Sequence, residues 1–383
     1  MTSFAGLREL RERLFGFRLQ TVASLTHLDR DRLSAIEGGA APSVYELEVL
    51  AEAYGLDSDL LWDEPIVISS EHGGAALASL DEFRDLGDMT RAKLVRAARA
   101  AQDLVTLRKL LGTDVPALPR LAPPNPRDEP YQQGASLAHA LRTELGLGLG
   151  PIVSLRDLVA KKLPGVSVLA ANLGGDGPAG LGFADSTRGP AIVLNVRGKN
   201  ENAAVRRFSL AHELCHLFVD WNRVEPLASI SGYLSDTRLA QEQRANGFAA
   251  RFLCPESVVQ ALHDSRDEDA LGVLMDEYKL PYRAARLYLR NEAKIQLPDV
   301  RPSTLPDPAL EVLETLRAVA DFPLDEVPLE RRGPLAELAV RAWCRGKIGR
   351  DACARYLGVT PGSAIERVAD FFDQEMVDEV LAS

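Results

Sequence analysis

A proline-dense stretch divides the chain and limits what can fold on either side of it. Six prolines occur between residues 116 and 130, at positions 116, 119, 123, 124, 126 and 130. Because proline fixes φ and lacks a backbone N–H, this density excludes a helix and predicts an extended, semi-rigid connector. A chain of 383 residues is also too long for one ordinary core. We expect three folded domains, with a boundary at this connector.

The sequence before the connector is helical in pattern. Apolar residues recur at helical spacing in the first 65 residues, which predicts a small bundle of short helices. The run from Leu80 to Leu111 then predicts one long amphipathic helix, with arginine and lysine between its apolar positions. We expect this helix to separate domains or to supply a homodimer interface.

The sequence after the connector mixes both periodicities, and the fold class we expect is α+β, mainly helical. The predicted strands are 165–171, 180–184 and 191–196, and the predicted helices are 135–145, 154–162, 203–220 and 239–252. Beyond Pro298, short helical pieces broken by prolines predict a separate helical module. The expected domains are 1–68 (helical bundle), 69–130 (long helix and linker), 131–298 (central domain with a small mixed sheet) and 299–383 (C-terminal helices).

Two histidines four residues apart mark the best candidate site. His212 and His216 lie in a predicted helix, so their side chains share one face about 6 Å apart along the axis. Neutral imidazoles at this spacing suit Zn²⁺. Glu213, between them in an HExxH pattern, can stand beside the same ion and take a proton from a water. This is the arrangement of a metallopeptidase.

A third ligand is needed, and Glu242 is our candidate because it opens a later helix with an apolar face. Two histidines and a glutamate leave one tetrahedral position open for water, whose pKa zinc lowers towards about 7. Glu213 would act as general base and then as acid to the leaving amine. Tyr233 or another side chain could assist the oxyanion, and Asp220 is either a second layer of the site or a surface acid. Cys215 is expected in the core.

Two weaker interpretations stay open. The histidines could merely pack a buried helix, or the fold could keep its ligands and only sense a metal or a partner.

The motifs resemble the ImmA/IrrE family of metallopeptidases. The run from Arg207 to His216 (RFSLAHELCH), preceded by IVLN at 192–195, carries the resemblance, as does EQRANGFA at 242–249, followed by Pro255. The resemblance covers about residues 131–290 and places Glu242 on the family's third-ligand position. It implies a zincin-like domain that cleaves a protein, often a transcriptional repressor, in a stress or mobile-element response. Cys215 departs from the glycine that many members have.

The first 65 residues resemble a second family, the Xre or phage-repressor type of helix-turn-helix. Such a unit places the N-terminal end of its second helix in the DNA major groove. The resemblance implies a double-stranded DNA operator as partner. The residues that could contact it are Gln20, Arg30, Asp31, Arg32 and Ser34. His27 stands where glycine usually fills a left-handed turn.

The net charge indicates that only a limited part of the surface could contact DNA. The chain has a formal net charge of −11, and residues 1–65 hold six arginines against twelve Asp and Glu. Because phosphate attracts cationic surface, binding must come from a basic face on an acidic body. A helix-turn-helix that only pairs with protein therefore stays an alternative, as does a homodimer that strengthens weak half-site contacts.

Taken together, these features predict a transcriptional regulator fused to a zinc-dependent endopeptidase that cuts a repressor-like partner or itself. The alternative is a non-catalytic DNA-binding regulator whose zincin-like domain senses a metal, a peptide or a small ligand. The chain shows neither a membrane span nor an export signal at its N-terminus, so we expect a cytoplasmic location. A second helix-turn-helix-like run at 342–359 is expected to serve packing or protein contact.

Overall fold

In the computed structural model of the chain, the described residues are 6–62, 66, 73–113, 117–185, 189–232, 239–298, 307–315 and 317–373. The α-helices are α1 (Gly6–Glu9), α2 (Leu19–Thr26), α3 (Arg30–Glu37), α4 (Val44–Tyr54), α5 (Gly73–Ala78), α6 (Asp81–Arg84), α7 (Asp88–Leu110), α8 (Pro130–Glu144), α9 (Leu155–Lys162), α10 (Ala203–Val219), α11 (Ala240–Leu253), α12 (Glu256–Gln260), α13 (Asp267–Gly272), α14 (Tyr282–Tyr288), α15 (Pro308–Glu314), α16 (Arg317–Ala320), α17 (Pro334–Cys344) and α18 (Arg350–Leu357). The strands are β1 (Ser167–Ala171), β2 (Gly180–Asp185), β3 (Gly189–Asn195) and β4 (Leu227–Ser231). The predicted α+β, mainly helical class is confirmed.

Shorter helical segments complete the described elements. Three are 3₁₀ turns, at Ser58–Leu61, Gly198–Glu201 and Leu329–Arg331, and three are π-helical, at Leu10–Phe15, Val273–Glu277 and Leu289–Ala293. The described part of the proline-rich stretch, 117–129, contains no helix or strand, and Pro130 begins α8.

The four strands form one mixed sheet in the order β1-β3-β2-β4. β1 pairs with β3 in parallel, while β2 is antiparallel to both β3 and β4. The first three strands were predicted from their sequence. The edge strand β4 was not, because four of its five residues are only partly buried and its apolar signal is correspondingly weak.

The sheet separates two cores. On one face, Leu181 and Val193 join a core shared with the N-terminal bundle, α7 and the C-terminal helices. On the other face, Ile192 and Leu194 join a core built with α8, α10 and α11. The side chains alternate between these cores because successive residues of a strand point to opposite faces.

The N-terminal bundle has the capping expected of short helices. Asp29 caps α3 by accepting hydrogen bonds from the backbone of Asp31 (2.8 Å) and Arg32 (3.4 Å). Ser43 and Glu46 form a capping box at the start of α4. His27 adopts the left-handed conformation, with φ of 56°, as predicted for this turn position.

The long helix is shorter than predicted. It is interrupted before Asp88, and α7 begins after Gly87. Eleven of its 23 residues are buried, and it contacts α4, α5 and α17 as well as β1 and β3. Its role in separating domains or in supplying a homodimer interface stays a prediction.

The C-terminal helices pack onto this central helix through α17, as their packing interpretation predicted. Arg331 lies beneath them with a side chain 2% exposed. It pairs with Asp103 of α7 at 2.7 Å and with Glu52 of α4 at 3.0 Å. One buried guanidinium therefore ties together three parts of the molecule that are far apart in sequence.

No helix in the described part of the chain combines the length and apolar character needed to cross a membrane.

Candidate metal centre

Helix α10 carries the HExxH residues and is buried along almost its whole length. Asn202 caps its start by accepting hydrogen bonds from the backbone of Ala204 (2.9 Å) and Val205 (3.4 Å). The helix lies across strands β2 and β3 on one side and against α11 on the other. Its predicted site residues therefore face the first turn of α11.

The three predicted ligands converge. His212, His216 and Glu242 each offer a ligand atom within 4.8 Å of the other two. The two imidazole Nε2 atoms lie 3.1 Å apart, and Glu242 oxygens lie 3.2 Å from His212 Nε2 and 3.3 Å from His216 Nε2. Two nitrogens and one carboxylate facing a common point form a donor set that suits zinc.

The hydrogen bonds of the two Nδ1 atoms determine what the two Nε2 atoms can bind. His212 Nδ1 lies 3.1 Å from Asn246 Oδ1, and His216 Nδ1 lies 2.6 Å from Asp220 Oδ2. Amide and carboxylate oxygens only accept hydrogen bonds, so each Nδ1 carries the proton. In the neutral rings each Nε2 then presents a lone pair, and these lone pairs face each other and Glu242. A divalent metal satisfies all three donors at once.

The close approach of these groups shifts the pKa values of His216 and Glu242. Burial alone would lower the pKa of His216, but its hydrogen bonds with Asp220 and Glu242 outweigh burial and raise it to about 10. Burial would raise the pKa of Glu242, and its contacts with the two histidines instead hold it well below the usual range. Without a metal, His216 therefore keeps a proton on Nε2 at neutral pH, and a bound metal would replace that proton.

Glu213 is 0% exposed and lies beside the ligands. Its carboxylate oxygens form no hydrogen bond of standard geometry with the described residues, and the nearby Ser231 hydroxyl favours the charged form. Burial raises the pKa of this carboxyl, while the nearby charges of His216 and His212 act in the opposite direction. A buried carboxylate with free acceptors is suited to take a proton from a substrate water.

Two glycines of β2 make room for that carboxylate. A Cβ at Gly180 would lie 2.9 Å from Glu213 Oε1, and one at Gly182 would lie 3.2 Å from Oε2 and 2.6 Å from Ser229 Oγ. A larger residue at either position would force the Glu213 or Ser229 side chain to shift. Glycine at both positions lets the sheet approach Glu213 this closely without such a shift.

Asp220 belongs to the site rather than to the general surface. One of its oxygens accepts from His216, and the other pairs with Arg244 of α11. Arg244 and Asn246 were not singled out from the sequence, although both lie in the EQRANGFA run quoted for the family resemblance. Cys215 is fully buried in the core, as expected. Tyr233 lies outside the described residues.

The DNA-contact candidates divide into two groups. Gln20, Arg30, Asp31 and Ser34 are exposed. Arg32 instead pairs with Glu46 through both guanidinium donors, at 2.6 and 2.7 Å, and donates to the carbonyl of Ala41 at 2.9 Å. This arginine holds α3 against α4, and its contact with DNA stays a prediction.

The comparisons with known proteins match these two regions. Residues 162–290 match a peptidase family model described as the IrrE N-terminal-like domain. Residues 5–62 match a model described as a helix-turn-helix domain. The predicted fusion of these two kinds of domain is confirmed. The searches of curated proteins and of solved structures returned no match.

Proposed function

We propose that this chain is a DNA-binding transcriptional regulator with zinc-dependent endopeptidase activity. Its substrate would be a repressor-type protein or the chain itself, in a stress, mobile-element or defence response. The observation that carries the proposal is the convergence of His212, His216 and Glu242 beside a fully buried Glu213 whose oxygens form no hydrogen bond of standard geometry with described residues. The matches to a helix-turn-helix domain and to an IrrE-like domain support the pairing of the two activities.

The chain's own residues divide the chemistry between them. The two histidines and Glu242 would hold Zn²⁺, which when bound acidifies water and polarises a peptide carbonyl. Glu213 takes the proton of the attacking water and later delivers it to the leaving amine. Asp220 and Asn246 orient the histidine rings so that both Nε2 atoms face the metal position.

The decisive experiment separates metal binding from catalysis. Glu213→Gln should keep zinc, because Glu213 is not one of the converging ligands, and should lose cleavage of an added repressor-type partner or of itself. A loss of at least about a hundredfold is expected for removal of a general base. Zinc content by elemental analysis and cleavage by mass spectrometry give the two readouts.

Glu268→Gln is the matched control, because Glu268 is an exposed glutamate of α13. It should leave both readouts unchanged. Equal cleavage by the wild type and by Glu213→Gln would contradict the catalytic proposal.

A non-catalytic regulator is the second candidate, and one observation favours it. The sheet beside the metal centre shares its other core with the DNA-binding bundle, so a bound ligand could alter DNA affinity without any cleavage. In that case His212→Ala would remove zinc and change operator affinity, while Glu213→Gln would change neither zinc content nor DNA binding.

A further inference from the structure

A small pocket opens directly beside the catalytic carboxylate. It is lined by Glu213 and His212 and extends along the preceding turns of α10 past Phe208 and Val205. We call it the side pocket. Because it borders the general base and one metal ligand, a peptide bound for cleavage would place there the side chain or terminus next to the scissile bond.

The size of the side pocket limits its occupant. Its volume is about 100 Å³. A single water needs roughly 10 to 15 Å³ on this measure, so the pocket has room for several waters or for one side chain. Val205, Phe208 and Pro281 provide apolar walls that fit the methylene part of such a side chain.

Most of the charged side chains among the described residues that line the side pocket are positive. Lys199 and Arg283 line it, and Glu213 is the only acidic residue among the described residues that do so. Arg283 is exposed on α14 and makes no hydrogen bond or ion pair with the described residues. In a chain with a formal net charge of −11, two cations at this position are a local exception.

We propose that the side pocket selects a carboxylate in the substrate residue next to the scissile bond, and that Arg283 is the specificity-determining residue. The occupant is the side chain of aspartate or glutamate, whose methylenes pack between the apolar walls while its carboxylate pairs with the guanidinium. Guanidinium and carboxylate match in geometry and charge. This inference rests on the proposed peptidase function.

The same carboxylate chemistry could come from a chain terminus. A free C-terminal carboxylate would make the protein remove terminal residues, whereas an acidic side chain fits internal cleavage. The experiment therefore needs probes that carry only one of the two groups.

The test measures binding to the zinc-loaded full-length protein, so that it does not depend on turnover. The probes are short peptide hydroxamates, which anchor on zinc, with Asp, Asn or Lys beside the anchor and an amidated C-terminus. A fourth probe has Ala at that position and a free C-terminal carboxylate. Affinities are measured by isothermal titration calorimetry.

We expect the Asp probe to bind about tenfold more tightly than the Asn probe, as is typical of one charge-assisted pair at a partly exposed site. Arg283→Gln should reduce that ratio to near one, and Arg283→Glu should make the Lys probe the tighter ligand. Arg290→Gln is the control, because Arg290 is exposed two helical turns further along and does not line the pocket. It should keep the wild-type ratio.

Four results would overturn the inference. Equal binding of the Asp, Asn and Lys probes would leave the zinc peptidase proposal intact and exclude acidic selection. A preference for Asp that survives Arg283→Gln would exclude Arg283 as its source. Tight binding of the free-carboxylate probe alone would assign the pocket to a chain terminus. If no hydroxamate binds at all, the proposed function fails and the inference fails with it.

Discussion

Asp220 lies outside the predicted ligand set but contacts one of its members, His216. It accepts the Nδ1 proton of His216 at 2.6 Å and is itself held by Arg244. Carboxylates that orient a metal-binding histidine typically contribute about 10- to 100-fold to metal affinity. We therefore expect Asp220→Ala to weaken zinc binding by about that factor, measured by competition with a chelator.

The surface pair of His263 and Asp264 offers a matched control. Its Nδ1–Oδ1 distance is 2.9 Å, but both side chains are largely exposed and neither is a converging ligand. Asp264→Ala should leave zinc affinity unchanged. If Asp220→Ala has no more effect than this control, Asp220 does not position His216.

Arg30 and Arg32 are neighbours in sequence with different expected roles. Arg30 is exposed, so Arg30→Ala should weaken binding to operator DNA and reduce its salt dependence without lowering the melting temperature. Arg32→Ala should lower the melting temperature, because it breaks the pair with Glu46. The opposite assignment of effects would contradict this division.

The Arg32 effect should depend on pH. The hydrogen bond from Arg32, together with the capping contacts of Ser43, lowers the pKa of Glu46 to about 2. A carboxyl with a depressed pKa stabilises the fold fully above its unfolded value, near 4.3, and loses that contribution as pH falls through the folded value. The difference in melting temperature between the wild type and Arg32→Ala should be constant above about pH 5 and shrink towards pH 2. A difference that is unchanged at pH 3 would contradict the ion-pair explanation.

The ligands could be predicted from sequence, and their supporting residues could not. His212 and His216 follow from spacing alone, because helix geometry puts residues four apart on one face, and Glu213 follows from its place in the HExxH pattern. Arg244 and Asn246 act across a gap of more than twenty residues from their partners, and no local periodicity encodes such a contact. The pair of Arg32 with Glu46 could not be predicted either, since Glu46 becomes a neighbour only once α3 and α4 have packed.

The crossing of α8 and α11 places the third ligand. A Cβ at Gly134 would meet the carbonyl of Arg244 and lie 2.6 Å from the backbone nitrogen of Phe248. Gly247 makes the reciprocal contact, since its Cβ would lie 2.6 Å from the carbonyl of Tyr131. The helices approach this closely only because both positions are glycine.

Gly134→Ala should therefore displace α11, and Glu242 with it. Overpacking of this kind typically costs about 1 to 3 kcal/mol. We expect lower stability in urea unfolding and weaker zinc binding in the same variant. Gly150→Ala is the control, because its Cβ would meet no atom within 4 Å. Normal zinc affinity in Gly134→Ala would show that this crossing does not position the ligand.

Elements with a clear sequence pattern were predicted correctly, whereas the start of the long helix was not. β1, β2 and β3 were recognised because they are rich in apolar residues and bounded by glycine and proline. The helix around residue 80 to 111 was predicted as continuous, whereas Gly87 interrupts it. Its burial could not be predicted either, because its covering elements come from distant parts of the chain.

At the scale of the whole molecule, Arg331 connects the bundle, the central helix and the C-terminal module. Burial raises the pKa of Asp103, and the charges of Arg331 and Arg99 oppose that effect. Arg331→Met would leave this buried carboxylate short of a partner, and breaking such a pair typically costs about 3 to 5 kcal/mol. Chemical denaturation should show that loss.

Arg345→Met is the corresponding surface change, because Arg345 is exposed. It should alter the free energy of unfolding by less than about 0.5 kcal/mol. A similarly small effect of Arg331→Met would mean that the network does not hold the three regions together.

The two glycines of β2 provide a criterion for interpreting other sequences that carry HExxH. A chain can contain both histidines and the glutamate yet have a larger residue at position 180 or 182, which would force the carboxylate of Glu213 away from its position here. Such a chain would keep the HExxH motif but would be expected to lack peptidase activity. The residues at positions 180 and 182, more than thirty residues before Glu213, therefore help to distinguish chains expected to be active from chains expected to be inactive.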